Sequence, residues 1–145
     1  MALHLVKLCV GVDSIRDLKD RIAKRLAEKR RKRQKPEHIH TTRMVPTRAD
    51  ELIDGGSLYW VIRGMIACRQ RLIDIRPFVD QEGIRRCRLV LDPKVVAVLP
   101  RPRGPFQGWR YLARKEAPPD LGKSGKGLAG LPEELRRELR ELGLL

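Results

Sequence analysis

From Ser57 to Phe78 the chain alternates for long enough to fix its fold class. Leu58, Trp60 and Ile62 share one parity against Tyr59, Val61 and Arg63. After Gly64 the pattern resumes, with Ile66, Cys68, Gln70, Leu72 and Asp74 set against Ala67, Arg69, Arg71, Ile73 and Ile75. Side chains of a strand point to opposite faces at every step, so a period of two requires extended backbone. Gly64 marks a bend or bulge before this second stretch, and the chain from Ser57 onward is expected to give four antiparallel strands. Asp80-Gln81-Glu82-Gly83 then reads as a hairpin connection, and Ile84–Leu91 returns as a strand with Arg86, Arg88 and Val90 opposite Cys87, Leu89 and Leu91. Asp92-Pro93 turns the chain again and Lys94–Leu99 makes a last short strand. Beyond it, Pro100, Pro102 and Pro105 with Gly104 and Gly108 deny regular structure, and Gln107–Leu112 is expected to lie over the sheet.

Upstream, alternation from Leu3 to Val10 predicts a first strand that stops at Gly11. Ser14 and Asp17 form an S-x-x-D capping signal, and Ile15, Leu18, Ile22 and Leu26 recur at the spacing of one helical face. Glu37–Met44 alternates again and suits a second strand, after which Pro46 opens a short helical turn through Ala49, Leu52 and Ile53, closed by Asp54-Gly55-Gly56. This order predicts an α+β fold: an N-terminal strand and long basic helix, then a mainly antiparallel curled sheet or small pseudo-barrel, and a short C-terminal helix. A chain of 145 residues with 41% apolar content fills one domain. Its expected extent is 1–116, followed by a Gly/Pro-rich linker at 117–130 and an amphipathic helix at 131–145 that starts near Pro132 and carries Leu135, Leu139 and Leu142.

Charge points to the partner. Ten of the seventeen residues from Lys19 to Lys35 are Lys or Arg, against Asp20 and Glu28, in a chain of net charge +14. Arg outnumbers Lys by 22 to 10, and guanidinium is the better fork for phosphate. The basic run overlaps the amphipathic helix, so Lys24, Lys29, Arg30, Arg31, Lys32 and Arg33 form a cationic ridge suited to a phosphate backbone. The apolar stripe ends near Ala27, which leaves the continuation to Pro36 as projecting helix or arm. Arg69, Arg71, Arg86 and Arg88, beside Trp60 or Trp109, suggest a sheet face that clamps phosphates and stacks bases of irregular RNA. Against that stands the small number of aromatics, six in all, most of which a core this size needs.

Chemical motifs are sparse. His38 and His40 share one strand face and make a weak catalytic pair, with Glu51 or Asp54 as the acidic partners that tertiary structure would have to bring near. His40-Thr41-Thr42 matches half of the H-x-[ST] signature of two-histidine phosphoesterases, whose second half is missing. Ala117–Ser124 satisfies the loosest phosphate-loop pattern but lacks the feeding strand and departing helix that the mechanism needs. Cys9, Cys68 and Cys87 are far apart, without a C-x-x-C pair, and read as reduced core thiols, with no metal or cofactor expected. No cationic leader and no long apolar run is present, so a cytoplasmic protein without a membrane partner is expected. The leading expectation is a non-enzymatic RNA-binding or ribosome-associated protein. Its alternatives are an enzyme acting on RNA or a nucleotide through His38 and His40, and an adaptor for an acidic protein.

Four stretches carry a resemblance: Thr42-Arg43-Met44-Val45-Pro46, the run Asp54–Gly64 with its Gly-Gly-Ser-Leu-Tyr-Trp-Val core, Arg69-Gln70, and Pro105–Leu112 with Phe-Gln-Gly-Trp-Arg-Tyr. Through them the chain resembles an uncharacterised alphaproteobacterial family, domain-of-unknown-function family 1489, from residue 1 to about residue 121. The resemblance implies a bacterial cytoplasmic protein and transfers no reaction. It also implies that the basic run after Lys29 and the tail beyond Leu121 belong to this chain more than to the family.

Overall fold

In the computed structural model, which describes residues 3–121 and Arg137, local sequence signals place most elements. Strand β1 (His4–Leu8) passes Gly11, whose φ of 77° suits a residue without Cβ, and enters helix α1 (Ile15–Arg31). The Ser14 Oγ accepts the Asp17 amide at 3.0 Å, capping the helix, and Ile15, Leu18, Ile22 and Leu26 are the residues it buries. Strand β2 (His38–Thr42) and the short helix α2 (Ala49–Ile53) follow, and then the sheet proper: β3 (Ser57–Ile62), β4 (Met65–Val79), β5 (Arg85–Leu91), β6 (Val96–Pro102) and β7 (Trp109–Leu112).

These strands form one mixed sheet in the order β2-β5-β4-β3-β1-β7, with β6 added to β4. Among the described residues only β1 and β3 pair in parallel, as a strand–helix crossover demands; the other ladders are antiparallel. The fifteen-residue β4 carries β3 and β6 along its first half and β5 along its second. Between the halves the register shifts at Leu72/Asp74, where Ile73 is thrown 52% exposed. A bulge there bends the strand and curls the sheet. The curl brings His40 of β2 edge-on to Trp60 of β3 at 5.1 Å between ring centroids, although β5 and β4 separate these strands along the sheet. The sheet stays open. No ladder among the described residues joins its two ends, so the curled sheet is present and the closed pseudo-barrel is not.

Four local expectations change. Arg63 and Gly64 both have positive φ, 51° and 76°, so the junction before the second stretch is a two-residue hairpin turn where a bend or bulge was expected. Strand β6 runs through Pro100 and Pro102, tolerated because β4 is its one strand neighbour and proline costs an edge little. Trp109–Leu112 does not lie across the sheet but extends it, pairing with β1. Finally, the packed body continues past Glu116: Leu121 is buried, Asp120 bridges to Val98, and the Leu99 amide donates to the Pro119 carbonyl at 2.9 Å. The rest of the expected linker and the C-terminal helix expected at 131–145 lie outside the described residues, apart from Arg137.

Two apolar layers flank the sheet. One gathers the α1 stripe with Leu5, Leu58, Trp60, Leu72, Leu89 and Leu91; the other collects Val6, Tyr59, Val61, Ile66, Val98 and Leu112. Strand β3 lies between them, so all its residues from Ser57 to Ile62 are buried.

Candidate nucleic-acid interface

Helix α1 buries one stripe and presents the rest of its surface, where the cations accumulate. Lys24, Arg25, Arg30, Arg31, Lys32 and Arg33 are all exposed. Glu28 is the carboxylate among them, and it takes Lys32 at 3.2 Å and Arg31 at 3.9 Å. Lys24, Arg25, Arg30 and Arg33 have no carboxylate partner among the described residues. Of the two expected continuations past Ala27, helix is the one present, as far as Arg31, and there it closes on itself. The Arg33 amide donates to the Arg30 carbonyl and the Gln34 amide to the Lys29 carbonyl, a pair of bonds that ends a helix through a left-handed residue. That residue is Arg33, at φ 57°, where glycine is the usual occupant. The chain then doubles back into β2, and Lys29 Nζ donates to the Glu37 carbonyl to hold the return.

Glu37 joins this helix end to the sheet. Its carboxylate accepts both terminal nitrogens of Arg76 on β4, at 2.9 and 2.8 Å, and lies 3.8 Å from Lys35. Arg76 in turn is the cross-strand neighbour of Arg88, whose guanidinium sits 3.9 Å over the Phe78 ring. Arg76 Nε also donates to Asp74 Oδ2 at 2.9 Å, so the Glu37–Arg76 link is a neutralised ion-pair cluster that ties the end of α1 to β4.

The expected base-stacking face is not built. Trp60 and Trp109 are buried, 3% and 4% exposed, and their indole nitrogens donate inward, to Gln70 Oε1 at 2.9 Å and to the Met44 carbonyl at 2.8 Å. Arg69 is clamped by Asp120 through two bonds of 2.8 Å and donates to Ser57 Oγ, so it fastens the 117–121 segment. Arg86 is paired with Asp80 in the β4–β5 turn. Of the sheet arginines singled out from the sequence, Arg71 and Arg88 are exposed.

The histidines come together without their proposed acids. The Glu51 carboxylate is held by Arg48 at 2.6 and 2.7 Å on the surface of α2, and Asp54 is exposed just beyond that helix. Neither reaches His38 or His40, which instead line a cleft of about 140 Å³ beneath α1 with Lys7, Cys9, Arg21 and Arg25. Burial, reinforced by Arg25 and Lys29, lowers the His38 pKa to about 4. His40 also falls to about 4, through burial and then Lys7, His38 and Arg25. Both rings are therefore neutral near pH 7. Burial pushes the Cys9 thiol up to about 12, which removes it as a thiolate nucleophile. Sequence gave no signal for Lys7 or Arg25 as companions of the histidines, since only the curl of the sheet and the seat of α1 bring them together.

Among the described residues, no three His, Cys, Asp or Glu side chains cluster as a metal ion would require, and no helix is long and apolar enough to cross a membrane. Residues 5–145 match the family described as Protein of unknown function (DUF1489). The chain belongs to this family. The DUF1489 match includes the basic helix and continues through the tail, so neither the run after Lys29 nor the stretch beyond Leu121 lies outside the family's span. Comparison with curated proteins and with solved structures returns no match.

Proposed function

We propose that this DUF1489 protein is a non-enzymatic, cytoplasmic RNA-binding or ribosome-associated protein of a bacterial cell, which grips phosphates with α1 and the turn that ends it. The observation that carries this is the outer face and end of α1, where Lys24, Arg25, Arg30 and Arg33 stand exposed without carboxylate partners among the described residues. An uncompensated cationic ridge is costly through self-repulsion unless a polyanion offsets it, and each phosphate contact releases counterions. Arg88 and Arg71 extend the contact over the sheet, whereas recognition by stacking on Trp60 or Trp109 is given up because both are core residues. The catalytic alternative loses its acid, since Glu51 and Asp54 stand apart from the histidines.

The test is fluorescence anisotropy with a labelled structured RNA at low and high salt. Affinity is expected to fall steeply with salt, and the triple change Arg30→Glu, Arg31→Glu, Arg33→Glu is expected to weaken binding by at least about ten-fold with an unchanged circular dichroism spectrum. Absent or salt-insensitive binding by the wild-type protein rules the proposal out.

A further inference from the structure

The cleft beneath α1 has a composition that core packing does not explain. Lys7, the fourth of the five residues of β1, is half-buried, opposite Trp60 and Trp109 on the neighbouring strands. A cation held there is normally paired, yet no carboxylate partner for Lys7 occurs among the described residues. Arg25, reaching the same cleft from α1, is likewise without one. Arg21 also lines it and has its Nε bonded to Asp17 Oδ1 at 3.2 Å, so its terminal nitrogens remain for other contacts. No carboxylate is among the residues lining the cleft.

The imidazoles complete the arrangement. His38 is 5% exposed, and His40 has a buried Nε2 with no hydrogen-bond partner among the described residues. Native proteins rarely leave a buried ring nitrogen unsatisfied, so a group that reaches it is missing from the protein's own hydrogen bonding. Neutral imidazoles beside ammonium and guanidinium groups suit an oxyanion, which accepts from all of them. The cleft's 140 Å³ is far above the roughly 10–15 Å³ that one water needs, and below the roughly 300–1,000 Å³ that encloses a drug-sized ligand. It therefore fits a compact anionic group, with the remainder of the ligand outside. His38 and Arg25 also line a second cavity of about 250 Å³, together with Lys29, Lys32 and the carboxylates Glu28 and Glu37.

We propose that Lys7, Arg25, His38 and His40 form a binding site for a phosphate monoester, carried either at the end of an RNA chain or by a free mononucleotide. The site shares Arg25 with the ridge but does not depend on the ridge binding RNA. Lys7 and Arg25 neutralise the dianion while the imidazoles donate to its oxygens. The Cys9 thiol beside it stays protonated, so the proposal is for binding and not for thiolate chemistry.

The experiment titrates the full-length wild-type protein with inorganic phosphate, adenosine 5′-monophosphate and adenosine, following the ring nitrogens of His38 and His40 by NMR. Both phosphates are expected to shift these resonances saturably, and adenosine is expected to leave them unmoved. Lys7→Met and Arg25→Met each remove one charge-assisted contact and should weaken adenosine monophosphate binding about ten-fold. The triple Arg30, Arg31, Arg33→Glu variant should retain it, which separates failure of the ridge from failure of the cleft. An oligoribonucleotide with a 5′-phosphate, compared with its 5′-hydroxyl form, identifies the source. Preference for the phosphorylated end assigns the site to RNA termini, and equal RNA binding alongside saturable mononucleotide binding assigns it to the free nucleotide. Ring resonances of the wild-type protein that stay fixed in millimolar phosphate and adenosine monophosphate overturn the proposal, as do shifts that adenosine reproduces.

Discussion

Gly56 shows how much one atom can matter in this molecule. A Cβ built there would lie 2.2 Å from the Leu3 carbonyl oxygen and 2.2 Å from that of Leu52, both backbone atoms that cannot swing aside. Gly56 is also where α2 hands the chain to β3, its amide donating to the Leu52 carbonyl and its own carbonyl accepting from Leu72. Gly56→Ala is expected to destabilise the fold by about 3 kcal/mol or more, since overpacking against rigid backbone exceeds the usual cost of an inserted methyl. Urea denaturation checks this, and a loss under about 1 kcal/mol would show that β1 yields. The sequence marks Asp54-Gly55-Gly56 as a chain stop but cannot say which glycine is there for space: Gly55 has φ 86°, whereas Gly56 answers to contacts with residues far away in sequence. Trp60 is a similar case. Alternation assigns it a face of β3, yet both faces of that strand are covered, so parity does not reveal that its indole turns to Gln70.

Among the elements, α1 was the most legible, because cap, apolar stripe and charge all lie within one continuous stretch. Its end was not. A glycine would have announced the left-handed stop, and the sequence offers Arg33 instead. Holding a non-glycine residue in that conformation costs on the order of 1 kcal/mol. Arg33→Gly is therefore expected to raise stability by about 1 kcal/mol. At the same time it removes a ridge cation, so RNA affinity should drop while the melting temperature rises. Opposed movement of the two readouts supports a functional reason for arginine at this turn; a variant that neither gains stability nor loses affinity removes it. Strands β6 and β7 were obscured for a different reason. Prolines hide the first, and the four residues of the second are too few for a period to show. Asp120 supplies a further check on how the tail is fastened. Asp120→Asn weakens both bonds to Arg69, and at these partly exposed positions a loss of about 1–2 kcal/mol is expected, read by urea denaturation and by faster proteolysis beyond Pro118.

For the whole molecule, acid sensitivity follows from three histidines folded in neutral form. His38 and His40 fall from 6.5 to about 4 chiefly by burial, with Lys7, Arg25 and Lys29 adding to it. His4 is lowered in the same direction by burial, then by Arg69 and Arg114, and its Nδ1 accepts the Ser57 amide. Between pH 6.5 and 4 the unfolded chain takes up protons that the folded protein refuses, so stability is complete above about pH 6.5 and declines as pH falls toward 4. The decline amounts to at most roughly 3 kcal/mol for each of His38 and His40. The urea midpoint should drop through this window, below which protonation of the ion-paired carboxylates lowers it further, and a flat profile between pH 6.5 and 4 would mean that the rings are protonated in the native state. The α+β class and the helix that carries the basic run could both be read from local pattern. The cleft could not, because the shift at Leu72/Asp74 that bends β4 has no local signature, and without that bend β2 never faces β1. The bent strand has one more consequence. Since β4 is a wall shared by both halves of the sheet, neither half can melt and leave the other standing, and a break in the chain near Ile73 should abolish the native state outright instead of yielding two stable pieces.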